Sequence, residues 1–308
     1  MKKLLCYLLA AIVLPICFSG CSDKTDNIRI SYVSSPFNVP SILEKQSRYF
    51  EADFKPAEVK WFDLTTGPQQ TQALASGDLD FAHAIGSPSV LLAASQGLEM
   101  KIIGVYSRSP KSFMILTKNG SIQTVADLKG KKVGGPMGTV LDQLLAAALA
   151  AQNLTEQDVE FINMDIPSSA AALEGRSIDA ALLAGPVALK AMDAGARLIT
   201  DGQGLVDGLL LSVVSKDYYD KHPDAVDRFR LVHQKAIQYM YENEAEILSM
   251  AAKEVGITDG QAKTLYSWYD FDPTIRQKDI DDLNNTQAFL IGSGLQQSSV
   301  DVDALVSE

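Results

Sequence analysis

The residues best placed for chemistry in this chain are small ones. Gly86-Ser87-Pro88-Ser89 follows a short apolar run (Leu79, Phe81, Ala82, Ala84, Ile85) and precedes another (Val90, Leu91, Leu92). An apolar run of that length reads as a strand covered on both faces. Ser followed by Pro suits a helix start. A strand that ends in a Gly-Ser turn and feeds a helix leaves backbone N–H groups and the positive end of the helix dipole aimed at one spot. Such a spot holds an anion with no cationic side chain. It is also the turn that any α/β domain uses between strand and helix, so the motif alone leaves both readings open. The same pattern recurs at Gly138-Thr139, ahead of an Ala/Leu run, and at Ala184-Gly185-Pro186, after the apolar run 178–183.

Side chains with stronger chemistry do not assemble into a known motif. His83, His222 and His233 are far apart and have no metal-ligand spacing of the HExxH kind. His83, three residues before the Gly86 turn, reads as a core histidine or as one that reaches a cleft. His222 precedes Pro223 as a loop or cap residue, and His233 falls on a helix face. Asp63, Asp142, Asp165 and Asp207 fall near expected loop ends, where capping or solvation is the ordinary role of a carboxylate. There is no GxSxG and no GxxxxGK[ST]. An enzyme is therefore not expected, nor a metal or cofactor.

The chain of 308 residues opens with Lys2-Lys3, an apolar run over 4–18 and Ser19-Gly20-Cys21. A basic start, an apolar centre and small residues at the cut form an export signal over residues 1–20. At about 15 residues with Pro15 inside, the run is short for a membrane span. The only cysteines are Cys6, Cys17 and Cys21, so cleavage before Cys21 leaves one thiol and no internal disulfide. This excludes a Cys nucleophile or a Cys-ligated metal in the body of the chain. The remaining roughly 285 residues are enough to bury a core without cross-links, as one large domain or two lobes. The formal charge of −11 becomes −13 when Lys2 and Lys3 are lost. That balance argues against nucleic acid and anionic lipid surfaces as partners. It leaves a small anionic solute possible, because oriented N–H dipoles act locally.

These turns need a scaffold, and hydropathy supplies one. Residues 21–27 are polar and read as a tether. Expected strands at 28–33, 59–63, 79–85 and 101–106 alternate with helices, which predicts a mostly parallel sheet with right-handed crossovers. After a strand at 112–117 the pattern restarts, with strands at 131–134, 159–164, 178–183 and 196–199. Ser168-Ser169 reads as the cap of a helix over 170–174. A strand at 209–215 leads into helices beginning near Pro223, Glu242, Thr258 and Asp279. Two β-α blocks of similar design predict two lobes, with 28–110 and 210–308 in the first and 111–209 in the second. A cleft between two such lobes is where ligands of α/β folds bind.

At this point the chain resembles a family. Ala73-Leu74-Ala75-Ser76-Gly77-Asp78-Leu79-Asp80-Phe81, the Gly86-Ser87-Pro88 turn, 127–133 (DLKGKKV) and 174–180 (EGRSIDA) are similar to segments of the taurine-, alkanesulfonate- and nitrate-binding proteins of bacterial ABC importers. Phe18-Ser19-Gly20-Cys21 resembles a lipobox, which implies lipid on Cys21 and an anchor on the outer face of the membrane. The resemblance implies a two-lobed periplasmic-binding-protein fold (type II) that closes on a small-molecule solute, acts as a monomer and delivers its cargo to an ABC permease. It implies hinges near 109–112 and 208–211, and ligand contacts at Ser34, Ser35, Phe37, Gly86, Ser87, Gly138, Thr139, Gly185 and Pro186. A fungal pyrimidine-synthesising relative depends on a Cys-rich motif that this chain lacks. Taurine-type proteins carry Trp-Ala-Pro where this chain has Ala184-Gly185-Pro186, and an Asp where it has Leu210. Both departures point away from taurine and towards an anion with a larger or uncharged tail. A neutral or amine-bearing solute such as a pyrimidine thiamine precursor, and a sensory ligand-binding module, are the alternatives.

Overall fold

The computed structural model describes residues 27–33 and 36–307. The expected signal, Cys21, the tether except its last residue, and Ser34 and Ser35 lie outside the described residues. Among the described residues no helix is long and apolar enough to cross a membrane.

The first half of lobe 1 contains β1 (Ile28–Tyr32), α1 (Val39–Gln46), α2 (Tyr49–Asp53), β2 (Val59–Asp63), α3 (Gly67–Ser76), β3 (Phe81–Gly86), α4 (Ser87–Ser95) and β4 (Met100–Arg108). Lobe 2 contains β5 (Phe113–Thr117), β6 (Lys132–Gly135), α5 (Val140–Ala150), β7 (Glu160–Asn163), α6 (Ile166–Glu174), β8 (Ala180–Ala184), α7 (Gly185–Asp193) and β9 (Arg197–Asp201). The chain then returns through β10 (Leu209–Ser215), α8 (Lys216–Lys221), α9 (Pro223–Glu242), α10 (Glu244–Val255), α11 (Asp259–Tyr266), α12 (Gln277–Gly292) and α13 (Val302–Leu305).

Each lobe has one five-stranded sheet, β2-β1-β3-β10-β4 in the first and β7-β6-β8-β5-β9 in the second. β1 runs parallel to β2 and β3, and β6 parallel to β7 and β8. The antiparallel member of each sheet is the strand that a crossing delivers: β5 between β8 and β9, and β10 between β3 and β4. With the crossing strand of each sheet set aside, the remaining four strands take the same 2-1-3-4 order in both sheets, which is the physical content of the repeated β-α pattern. Strands buried on both faces, such as β8 (Ala180–Ala184), carry no alternation because helices cover both sides.

Local signals set the element ends. Gly77 closes α3 at φ 74°, the left-handed conformation in which glycine has no Cβ penalty. Thr258 caps α11 with Gln261 as its capping-box partner. Two expectations shift. Ser87 is the first residue of α4 and Gly86 is its N-cap. α6 starts at Ile166, capped by Asp165, whose carboxylate accepts from Ser168 N at 2.8 Å. The short acceptor on Asp165 outcompetes the hydroxyls of Ser168 and Ser169, and Ser169 instead donates to the Asp165 carbonyl.

Candidate ligand cleft

The two lobes meet across a small cleft. Lobe 1 contributes Val33, Pro36, Thr65, Thr66, Gly67, Gln70, Ala84, Gly86, Ser89 and Leu210 to its walls; lobe 2 contributes Phe113, Pro136, Thr139, Val140, Leu141 and Ile166. Four helices begin at these walls. α3 starts at Gly67 behind its cap Thr66, and α4 starts after Gly86. α5 starts after Thr139, and α6 starts at Ile166. The first-turn N–H groups of a helix have no intrahelical partner. In α4 no side chain caps them. Two helix starts from each lobe therefore bring donors and positive dipole ends to one cavity.

The side chains add donors and no charge. No ionisable residue lines the cavity among the described residues. The Gln70 amide oxygen accepts from Ser31 Oγ at 2.8 Å, so its N–H groups are what Gln70 offers elsewhere. The Thr66 hydroxyl accepts from Gln69 N at 3.4 Å and keeps its own proton to donate. The Thr139 hydroxyl is engaged on both sides, donating to Pro136 O at 2.7 Å and accepting from Leu141 N at 3.2 Å. Val33, Phe113, Val140, Leu141, Ile166 and Leu210 make the rest of the wall apolar. Such a chamber suits an acceptor-only head group with a hydrocarbon tail and, among the described residues, offers no charged partner to an ammonium.

A bulge shapes the lobe 1 wall. Between β3 and β10 the register shifts from Leu211–Ile85 to Ser212–His83, which leaves Ala84 as the extra residue. Ala84 has φ 66° and faces the cavity. Bulges re-aim side chains next to sites in this way.

The lobes are in contact. Ser89 Oγ in α4 donates to the Gly138 carbonyl of lobe 2 at 2.6 Å. Gly138 N in turn donates to Asp142 Oδ2 at 2.7 Å. Burial raises Asp142 above the usual aspartate range. Burial, and then repulsion from Asp142, push Glu156 up to about 7. Asp142 Oδ1 and Glu156 Oε1 are both buried without a hydrogen-bond partner among the described residues, and one proton shared between the two carboxyls would satisfy both.

Among the residues expected at the ligand, Gly86 and Thr139 line the cavity. Ser34 and Ser35 lie outside the described residues; Pro36 is on the wall. Phe37 is fully buried, and its N–H donates to Tyr269 Oη at 3.0 Å. Ser87 is buried beside the cavity but off its wall. Gly138 has both backbone groups committed, to Ser89 and Asp142. Gly185 and Pro186 start α7 elsewhere, packed on the 36–37 segment: a Cβ on Gly185 would stand 2.9 Å from Phe37 N, at φ 51°. The start of α7 thus packs against that segment and is not itself on the cavity wall, whereas the starts of α3 and α6 are. Thr65-Thr66-Gly67-Pro68 carried the same Thr/Gly/Pro signal in the sequence. Gly67 is required by space, since a Cβ there would lie 2.1 Å from Ser89 Oγ. Leu210, flagged for the missing carboxylate, is on the wall. Asp142 and Asp165 are not; both serve backbone N–H groups. His83 and His233 are buried inside lobe 1, off the cavity wall.

Comparisons with known proteins agree with this architecture. A family described as NMT1/THI5 like matches residues 58–247. A Bacillus subtilis (strain 168) protein named for binding aliphatic sulfonates is 31% identical over 256 residues, 79% of this chain and 75% of that one. The taurine-binding periplasmic protein of Escherichia coli (strain K12) is 28% identical over 268 residues, 84% of this chain and 81% of its own. Among solved structures, the alkanesulfonate-binding protein from Xanthomonas axonopodis pv. citri bound to MOPS superposes with a TM-score of 0.82 at 24% identity, covering 91% of this chain and 98% of that one. The last likeness establishes the two-lobed periplasmic-binding-protein fold.

Proposed function

The chain belongs to the NMT1/THI5-like family, and on that footing we propose that it is the substrate-binding protein of an ABC importer, capturing a small organic oxyanion of sulfonate type. The observation that carries this reading is the convergence of four helix starts from two lobes on a cavity whose described wall is apolar and neutral-polar, with no ionisable group among the described residues. Backbone donors of this kind bind a group with three acceptor oxygens and a delocalised charge. The apolar wall takes an alkyl tail, and Leu210 in place of a carboxylate disfavours the ammonium of taurine.

Capture follows from geometry. A ligand that bridges both lobes binds the closed form better than an open one, and that difference in affinity is what drives closure. The segments 109–112 and 202–208 are the connections through which one lobe rotates on the other; of the expected second hinge, 208–211, residues 209–211 belong to strand β10. Ligand contacts come from Pro36, Thr66, Gly67, Gln70, Gly86, Thr139 and Val140, together with the expected contacts Ser34 and Ser35. The protein works as a monomer without catalysis, tethered by lipid on Cys21 after removal of residues 1–20, and hands its solute to a membrane permease. A Cys21→Ser variant should leave the membrane fraction.

The test is calorimetric titration of the protein with linear alkanesulfonates, nitrate, bicarbonate and a hydroxymethylpyrimidine. Tight, one-to-one binding of alkanesulfonates supports the reading. Binding of the pyrimidine or of a cationic solute with no response to any sulfonate overturns it.

A further inference from the structure

Lobe 1 holds a second constellation, separate from the cleft. Glu44 of α1, His83 of β3 and His233 of α9 meet in the interior, with side-chain exposures of 0%, 0% and 5%. Glu44 Oε2 lies 3.1 Å from His83 Nε2, and Oε1 lies 2.6 Å from His233 Nδ1. The two imidazole rings stand perpendicular with centroids 4.6 Å apart. One oxygen and two nitrogens from the three residues all lie within 4.8 Å of one another. On its other side His83 Nδ1 is 2.8 Å from Ser212 Oγ. His233 Nε2 is buried with no hydrogen-bond partner among the described residues.

Packing alone does not call for this group. A buried carboxylate is expensive to desolvate, and apolar residues of similar volume usually replace such a network at no loss of stability. One imidazole would pair with Glu44; the second brings a nitrogen that nothing satisfies. Two imidazoles and one carboxylate are, however, a donor set that zinc-class ions prefer. Ser212 stands where an outer hydroxyl partner would fix the orientation of a ligating imidazole. We propose that Glu44, His83 and His233 form a binding site for a zinc-class divalent metal ion within lobe 1.

Access and protons both balance. A second cavity, with about 720 Å³ of empty space and an open mouth, is lined by His233 and Ser212, so the route for an ion ends beside the cluster. In the structure Glu44 accepts an N–H from each ring. Ligation turns those two nitrogens to the ion, and the single proton of each neutral ring moves from the ligating nitrogen to the opposite one. For His83 that is Nδ1, which then donates to Ser212 Oγ; for His233 it is Nε2, on the side of the second cavity. With both rings neutral no proton is released, and the carboxylate offsets one of the two positive charges.

The inference does not depend on the proposed solute, and its test does not use one. The full chain, stripped with a chelator, is titrated with Zn²⁺ in competition with a chromophoric chelator and separately with Co²⁺. One equivalent of Zn²⁺ should bind, and Co²⁺ should develop the intense visible bands of low coordination number. Ser212→Ala, which leaves the three ligands in place, should weaken Zn²⁺ about 10- to 100-fold. Glu44→Gln should abolish uptake, and His222→Ala, outside the cluster, should not change it. If Glu44→Gln fails to fold, the Co²⁺ spectrum of the unaltered protein and the Ser212→Ala titration decide. No stoichiometric uptake, a weak six-coordinate Co²⁺ spectrum, or an affinity unchanged by Ser212→Ala would overturn the site.

Discussion

Ser89 and Gly138 lie on opposite lobes and are joined by a 2.6 Å hydrogen bond, from the serine hydroxyl to the glycine carbonyl. Ser89 stands in the first turn of α4 on the cleft wall, and Gly138 directly precedes the wall residue Thr139, so a contact that closes the molecule lies at the edge of the space that would hold its cargo.

Removing that bond should loosen closure. A neutral hydrogen bond is worth about 1 kcal/mol net. Ser89→Ala is therefore expected to weaken solute affinity about fivefold, the whole effect arising from the open-to-closed equilibrium. Calorimetry measures the affinity, and small-angle scattering should show a larger radius of gyration without solute. An unchanged affinity and radius would mean that this contact does not bias closure.

The apolar wall predicts discrimination between two anions of similar size. Ethanesulfonate and taurine share the sulfonate and differ at the far end, where taurine carries an ammonium. With no carboxylate among the described residues of the wall, burying that ammonium is penalised. Taurine should bind at least about tenfold more weakly, ~1.4 kcal/mol, in parallel titrations. Equal affinities would mean that a carboxylate reaches the tail.

The Asp142–Glu156 pair predicts a pH dependence. Burial and Asp142 raise Glu156 from an ordinary 4.5 to about 7. A carboxyl whose folded pKa is raised must take up a proton on folding, so its contribution falls as pH rises from about 4.5 through about 7 and stays low above that. Glu156→Gln keeps an N–H donor for Asp142 at every pH. Because Glu156 is only half-buried, solvent screening limits the gain to about 1 kcal/mol at pH 8, or about 2 °C in Tm. The gain should vanish near pH 4.5. A Tm difference that is the same at both pH values would show that the pair shares no proton.

Ala84 should tolerate the reverse of the usual rule for strands. Glycine in a strand interior ordinarily costs about 0.5–1 kcal/mol, but the left-handed conformation costs a residue with a Cβ about 1–2 kcal/mol. At φ 66° Ala84→Gly is expected to be neutral or stabilising by up to about 1 kcal/mol, read from urea denaturation. A clear loss of stability would assign Ala84 a packing role that outweighs its backbone strain.

Much of this was legible in the sequence. The repeated β-α order predicts both sheets, and Gly86 and Thr139 stand on the cavity wall as their turns suggested. What was not legible is long-range. Whether α7 or α6 opens onto the cleft depends on how the 36–37 segment packs against Gly185, a contact between residues about 150 positions apart. The bulge at Ala84 is set by the partner strand β10, more than 120 residues later. Glu44, His83 and His233 show no spacing signal because three separate elements deliver them. The Thr65–Pro68 signal was visible, but only the fold shows that α3 starts at the cleft.

The account rests on oriented backbone donors, drawn from both lobes, holding one anionic head group. A crystal structure of the protein with a short linear alkanesulfonate tests it most directly. The sulfonate oxygens should lie within about 3.2 Å of first-turn nitrogens of α3 or α4 in one lobe and α5 or α6 in the other, with the alkyl chain against Leu210 and Ile166. A sulfonate held by a lysine or arginine, or touching one lobe alone, would contradict the account.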